Sequence, residues 1–124
     1  MTKLFLTLGS IAMALAVSLG AFGAHGLKSR LSQEMISIFE TGVEYHFYHA
    51  LGLLLVGIAA HFLSETNWLQ WAGWLMIAGI LIFSGSLYVL SISGLRWLGA
   101  ITPIGGVCFI VAWLLFAVAV WKGL

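Results

Sequence analysis

Ionisable and hydroxyl-bearing side chains crowd into a few short windows of an otherwise apolar chain. His25 follows a glycine-rich turn, Glu40, Glu44, Tyr45, His46, Tyr48 and His49 fall close together, and Tyr88 and Arg96 bracket Ser91 and Ser93. On a helical wheel Thr41, Tyr45, Tyr48 and Gly52 lie within about 60° of one another, with Glu44 and His49 on the flanks and His46 further round. Three kinds of chemistry suit this set. One is a hydrogen-bonded network that fixes helix ends, with Glu44 and His49 joined to Arg96, His25 or backbone carbonyls. The second is a metal or haem site, for which His25, His46 and His49 with Glu40 or Glu44 have suitable ligand types. The third is a pocket for a lipid headgroup, quinone or small ligand lined by His, Tyr and Arg. The sequence carries no His-Glu-x-x-His or Glu-x-x-His signature, and no nucleophile is spaced against a base. The expectation is therefore no catalytic residue, no metal, no cofactor and no enzyme activity. The cluster to examine is His25, Glu44, Tyr45, His49, Tyr88 and Arg96.

The elements that must position these groups are apolar helices. Of 124 residues 62% are hydrophobic and 7% are charged, against about 45–50% and roughly 25% in a soluble domain. Five basic and four acidic side chains cannot cover a globule of this size. The composition excludes a soluble monomer, a disordered chain and a nucleic-acid binder, and the single Cys108 excludes an internal disulfide. Four apolar stretches, about 4–24, 45–63, 68–93 and 98–121, approach the roughly 20 residues that cross a hydrocarbon core of about 30 Å. They are continuous rather than alternating, so helices are expected and a β-barrel is not. The first stretch has Lys3 and a small-residue end like a signal peptide, but its apolar core exceeds the usual 7–15 residues. It reads as a retained helix.

Between spans one and two, Leu31, Met35, Ile38, Phe39 and Val43 recur at helical spacing among Lys28, Arg30, Glu34 and Glu40. This predicts an amphipathic helix, either lying in the interface or running straight into span two. The connections Ser64–Asn67 and Gly94–Trp97 are short, so neighbouring helices should be antiparallel. Nearly all the chemistry-bearing residues then share one side, leaving His61, Glu65 and Asn67 on the other. Two basic residues against three leave the in/out orientation open. Tryptophans mark boundaries at Trp68, Trp71, Trp74, Trp97 and Trp121, while mid-span Trp113 reads equally well as lipid-facing bulk. Thr102-Pro103 predicts a helix start, with the hydroxyl as cap. Ala12, Ala16, Gly20 and Ala24, four residues apart, form a small-residue stripe that should face another helix.

The run Gly20-Ala21-Phe22-Gly23-Ala24-His25-Gly26 resembles the hallmark of domain-of-unknown-function family 423. These are small bacterial inner-membrane proteins of the YgdD/YwdK type, with a eukaryotic transmembrane relative. Thr41-Gly42-Val43-Glu44-Tyr45 with His49, Phe83-Ser84-Gly85-Ser86-Leu87-Tyr88, and Thr102-Pro103-Ile104-Gly105-Gly106 are similar to its other blocks, in order. His25, Glu44, Tyr45 and His49 match the pattern, whereas His46 stands where the family accepts other residues. The resemblance implies a four-helix protein of the bacterial inner membrane and no assigned activity.

The expected architecture is thus all-α, a four-helix transmembrane bundle with an amphipathic interfacial helix between spans one and two. The expected role is that of a structural or accessory membrane protein acting through helix and lipid contacts. Its expected partners are membrane lipid and a second copy or larger membrane complex. A ligand- or cofactor-binding subunit is the alternative, and a transporter a third class with no internal repeat to support it. Within the polar cluster, Glu44 should contact His25, His49 or Arg96, because a lone buried carboxylate is costly.

Overall fold

The computed structural model describes residues 1–63 and 67–124. Glu65 and most of the connection expected at Ser64–Asn67 lie outside the described residues. The first helix, α1, covers Thr2–Phe22 and widens into a π turn over Gly23–Leu27. Helix α2 covers Gln33–Phe62. The third span is α3, Asn67–Gly79, a π turn at Ile80–Ser84, and α4, Gly85–Ser93. A 3-10 turn at Arg96–Ala100 leads into α5, Thr102–Gly123. Among the described residues, four helical stretches are long and apolar enough to cross a membrane. Helices suit that setting because every backbone N–H finds its acceptor within the segment.

Local chemistry sets the ends. Ser32, in extended conformation, accepts a hydrogen bond from the Met35 N–H at 3.2 Å and starts α2. From there the helix runs unbroken for 30 residues, about 45 Å at 1.5 Å per residue. No separate interfacial helix intervenes: the amphipathic stretch forms the first turns of α2, the straight one of the two courses open to it. Gly42 does not break the helix because it is buried against Leu87 and Tyr88. Gly94 ends α4 at φ 77°, a left-handed conformation that costs glycine nothing.

One local expectation is corrected. Helix α5 does start at Thr102, with Pro103 in its first turn, but the Thr102 hydroxyl does not cap it. The preceding 3-10 turn already organises this end, through Ile101 N–H to Leu98 O and Ile104 N–H to Ile101 O. The hydroxyl instead meets Ser86 Oγ at 2.6 Å and Leu98 O at 3.3 Å.

Helix α1 packs along α2, and α5 packs along α3; the two pairs meet where α2 lies against α3 and α4. The main core joins Phe5, Leu53, Val56, Leu69, Met76 and Phe109, and a smaller one joins Leu27, Ile36 and Phe39. Lipid tails are as apolar as these side chains, so close approach must hold the helices. At Gly105 the backbone of Phe83 sits where a Cβ would stand, which excludes any other residue without displacement of α5. Of the small-residue stripe, Ala16 is fully buried, Ala12 packs against the main core, and Gly20 faces Val43 and Phe47. Ala24 is exposed.

Candidate functional site

Helix α2 carries the two buried histidines, and each has its own partners. His49 Nδ1 lies 2.7 Å from the Tyr45 carbonyl, and the Trp113 indole N–H points at His49 Nε2 from 3.0 Å. A carbonyl can only accept and an indole N–H can only donate. The ring is therefore neutral, with its proton on Nδ1 and its Nε2 lone pair occupied. It also stacks on Phe109, with centroids 3.4 Å apart and planes 9° from parallel. Tyr45 and Phe83 extend this aromatic group, their centroids 4.6 Å apart. A metal ligand needs a free lone pair, and His49 has none to give without losing the tie to α5.

His46 is 3% exposed, and its Nδ1 lies 2.8 Å from Tyr88 Oη. Its buried Nε2 has no hydrogen-bond partner of standard geometry among the described residues. The Ala12 backbone and the Ser84 hydroxyl are the next polar groups around this pair. Ser84, fully buried, gives its hydrogen to the Gly42 carbonyl at 2.7 Å and so ties the third span to α2. Ser86 and Thr102 make the corresponding tie between α4 and α5.

The six residues read as one cluster are thus divided. Tyr45 and His49 come together. Tyr88 joins His46 instead. Arg96 forms a two-pronged ion pair with Glu34, at 2.8 and 3.3 Å. Both partners are exposed, so the pair adds little to stability and weakens with salt. His25 is exposed on the π turn after α1. The expected contact of Glu44 with His25, His49 or Arg96 is absent among the described residues. Glu44 is exposed beside a shallow groove of about 230 Å³ between α1 and α2. As it is not buried, the carboxylate needs no partner. Also among the described residues, no three His, Cys, Asp or Glu side chains converge as a metal set.

Trp113 and Glu34 are the participants that spacing did not single out; His46 enters the sequence reading only as a candidate metal ligand, and Ser84, on one helix face with Tyr88 and Ser91, is the kind of buried hydroxyl that bonds across helices. The one signal for His46 was its i, i+3 relation to His49. Trp113 could be recognised only by knowing which α5 residue lies level with His49.

Four membrane-length helices among the described residues, with buried serines and histidines bonded between them, define an integral membrane protein. The chain belongs to the family described as "Protein of unknown function (DUF423)", whose profile matches residues 19–106. It is 52% identical over 120 residues to the UPF0382 membrane protein YwdK of Bacillus subtilis, covering 97% of this chain and 98% of that one. The UPF0382 membrane protein SH2409 of Staphylococcus haemolyticus is 46% identical, with 97% of each chain covered. SSP2132 of Staphylococcus saprophyticus is 48% identical, with 97% and 98% covered. No solved structure matches. Relatives and fold together make this an integral bacterial membrane protein.

Proposed function

We propose that the protein is a non-catalytic accessory element of the membrane, a rigid bundle that works through helix and lipid contacts. The observation that carries this reading is His49. Both of its nitrogens are consumed by Tyr45 and Trp113, which suits a structural tie and leaves nothing for proton relay or ligation. Ser84, Ser86 and Thr102 are likewise spent on bonds within or between helices. On this reading the partners are lipid and other membrane helices, either a second copy or a larger complex, and nucleic acid plays no part. Reconstitution into vesicles loaded with a pH-sensitive dye tests it. Proton and cation leak should equal that of empty vesicles. A leak that appears with the protein and disappears in His49→Phe would overturn the reading, as would a Soret band or stoichiometric metal in the purified protein.

A further inference from the structure

The start of the third span and the end of the fourth border a groove of about 530 Å³, lined by Asn67, Trp68, Trp71, Leu115 and Lys122. That volume lies within the roughly 300–1,000 Å³ typical of small-molecule sites. Asn67 and Trp68 open α3, and Lys122 lies in the last turn of α5. Both are ends of membrane-length stretches, so the mouth of the groove sits at the headgroup level, where amphipathic indoles also settle. Leu115 lies seven residues before Lys122, about 10 Å deeper along the helix. The groove is therefore graded, polar at its mouth and apolar toward the hydrocarbon.

The charge at that mouth has one sign. The lining side chains supply an ammonium, two indole N–H groups and one amide, and no carboxylate. Lys122 Nζ stands 5.5 Å from the centroid of the Trp68 ring, a cation–π contact. This contact holds the ammonium beside the groove but offers its three hydrogens no oxygen. Among the described residues the ion pair formed is Arg96–Glu34, at the opposite end of the bundle, and Lys122 meets no carboxylate. In an integral bacterial membrane protein, the groups at this level are phospholipid headgroups. A zwitterionic headgroup brings its own cation beside the phosphate. An anionic one, such as phosphatidylglycerol, brings a phosphate and hydroxyls alone, and the unbalanced lysine favours it.

We infer that this groove binds one anionic phospholipid, its phosphate on the Lys122 ammonium and the upper part of an acyl chain against Trp71 and Leu115. The inference rests on the accessory role through lipid contacts and names the lipid; a negative lipid result leaves the vesicle-leak result untouched. The purified, delipidated protein in detergent is titrated with phosphatidylglycerol and with phosphatidylcholine of the same acyl chains, with binding read by native mass spectrometry. Wild type should bind one phosphatidylglycerol about five- to tenfold more tightly than phosphatidylcholine, the effect of one lysine at an anionic headgroup. Lys122→Gln should lose that preference while retaining a cooperative thermal transition, since the side chain is exposed. Lys3→Gln removes a charge from the same side of the membrane, outside the groove, and should leave the preference intact. Glycerol 3-phosphate in excess should not displace the lipid, because it has no chain for the apolar floor.

Equal binding of the two lipids to wild type, a preference that survives Lys122→Gln, or an equal loss in Lys3→Gln overturns the inference. Displacement by glycerol 3-phosphate also overturns it, by making this a site for free phosphate. Glu65, the acidic residue nearest in sequence to Asn67, lies outside the described residues. Glu65→Gln should keep the preference; a preference that appears only in that variant would show that Lys122 serves the chain itself, and so counts against a lipid.

Discussion

The tie between His49 and Trp113 can be measured by replacing its two ends separately and together. His49→Phe keeps a ring stacked on Phe109, now 3.4 Å from the imidazole centroid, but leaves the Trp113 N–H without its acceptor. Trp113→Phe leaves the His49 Nε2 lone pair bare and trims the indole, which is 38% exposed. An unmatched buried donor or acceptor costs about 1–3 kcal/mol, whereas removing both partners together is nearly neutral. Interhelical hydrogen bonds in membranes average about 0.6 kcal/mol and reach about 1.7 kcal/mol. The bond here is short and both ends are fixed by ring packing, so the coupling should fall between about 0.5 and 1.5 kcal/mol. The double variant should then be less destabilised than the sum of the single ones. Equilibrium unfolding in bicelles, for wild type and the three variants, gives the coupling directly. Additivity within about 0.3–0.5 kcal/mol would refute the assignment of this bond and with it the structural role of His49.

Three further outcomes follow from the same geometry. Nitrogen NMR of the histidine rings should show His49 as the neutral tautomer protonated on Nδ1; a charged ring, or a proton on Nε2, would contradict the Trp113 contact. Glu44→Gln should leave the thermal transition unchanged, because its carboxylate is exposed and has no partner among the described residues, and Arg96→Gln should produce at most a small shift that disappears in high salt. A large loss for Glu44→Gln would instead place its carboxylate in a buried network. Ser86→Ala and Thr102→Ala remove the same 2.6 Å contact, so the two together should cost little more than either alone, about 0.5–1.5 kcal/mol; strictly summed losses would show that the hydroxyls act separately.

The class of the protein was legible because composition and span length are global properties, and no tertiary detail is needed to read them. The helix start at Thr102-Pro103 was also legible, since proline in a first turn is a local matter, but the use of the Thr102 hydroxyl was not: its partner Ser86 lies on another helix. The polar cluster failed for the same reason. Sharing a side of the membrane brings His25, Glu44, Tyr88 and Arg96 to similar depth without bringing them into contact. Contact requires the rotation of each helix about its axis, which depends on Gly42 admitting Tyr88, Gly79 admitting Phe109 and Gly105 admitting the backbone of Phe83. A single sequence records the glycines but not which ring each one receives.

The distribution of those ties makes α1 the least secured element. The side-chain hydrogen bonds described above join α2, the third span and the fourth: Ser84 to Gly42, His46 to Tyr88, His49 to Trp113, Ser86 to Thr102, and Arg96 to Glu34. The serines of α1 turn inward on their own helix, Ser10 to the Leu6 carbonyl and Ser18 to that of Ala14, both at 2.8 Å. What holds α1 is close approach. A Cβ on Gly9 would stand 3.1 Å from the Leu54 backbone nitrogen, and one on Gly57 would stand 3.0 Å from that of Leu6. Backbone cannot rotate aside, so either substitution must push the two helices apart. At Gly20 the nearest atom is a Val43 methyl at 3.4 Å, an ordinary contact. Gly57→Ala should therefore cost more than Gly20→Ala, within the range of about 1–3 kcal/mol for overpacking, and Gly20→Leu should approach the same range. The damage should also be local. Ala16→Cys, at a fully buried position on α1, placed in a Cys108→Ala background, reports α1 seating through its reaction rate with a membrane-permeant maleimide. Adding Gly57→Ala should speed that reaction while the NMR signature of His49 stays in place. Unchanged labelling, or simultaneous loss of the His49 signature, would show that α1 is held by more than glycine packing and separates only with the whole bundle.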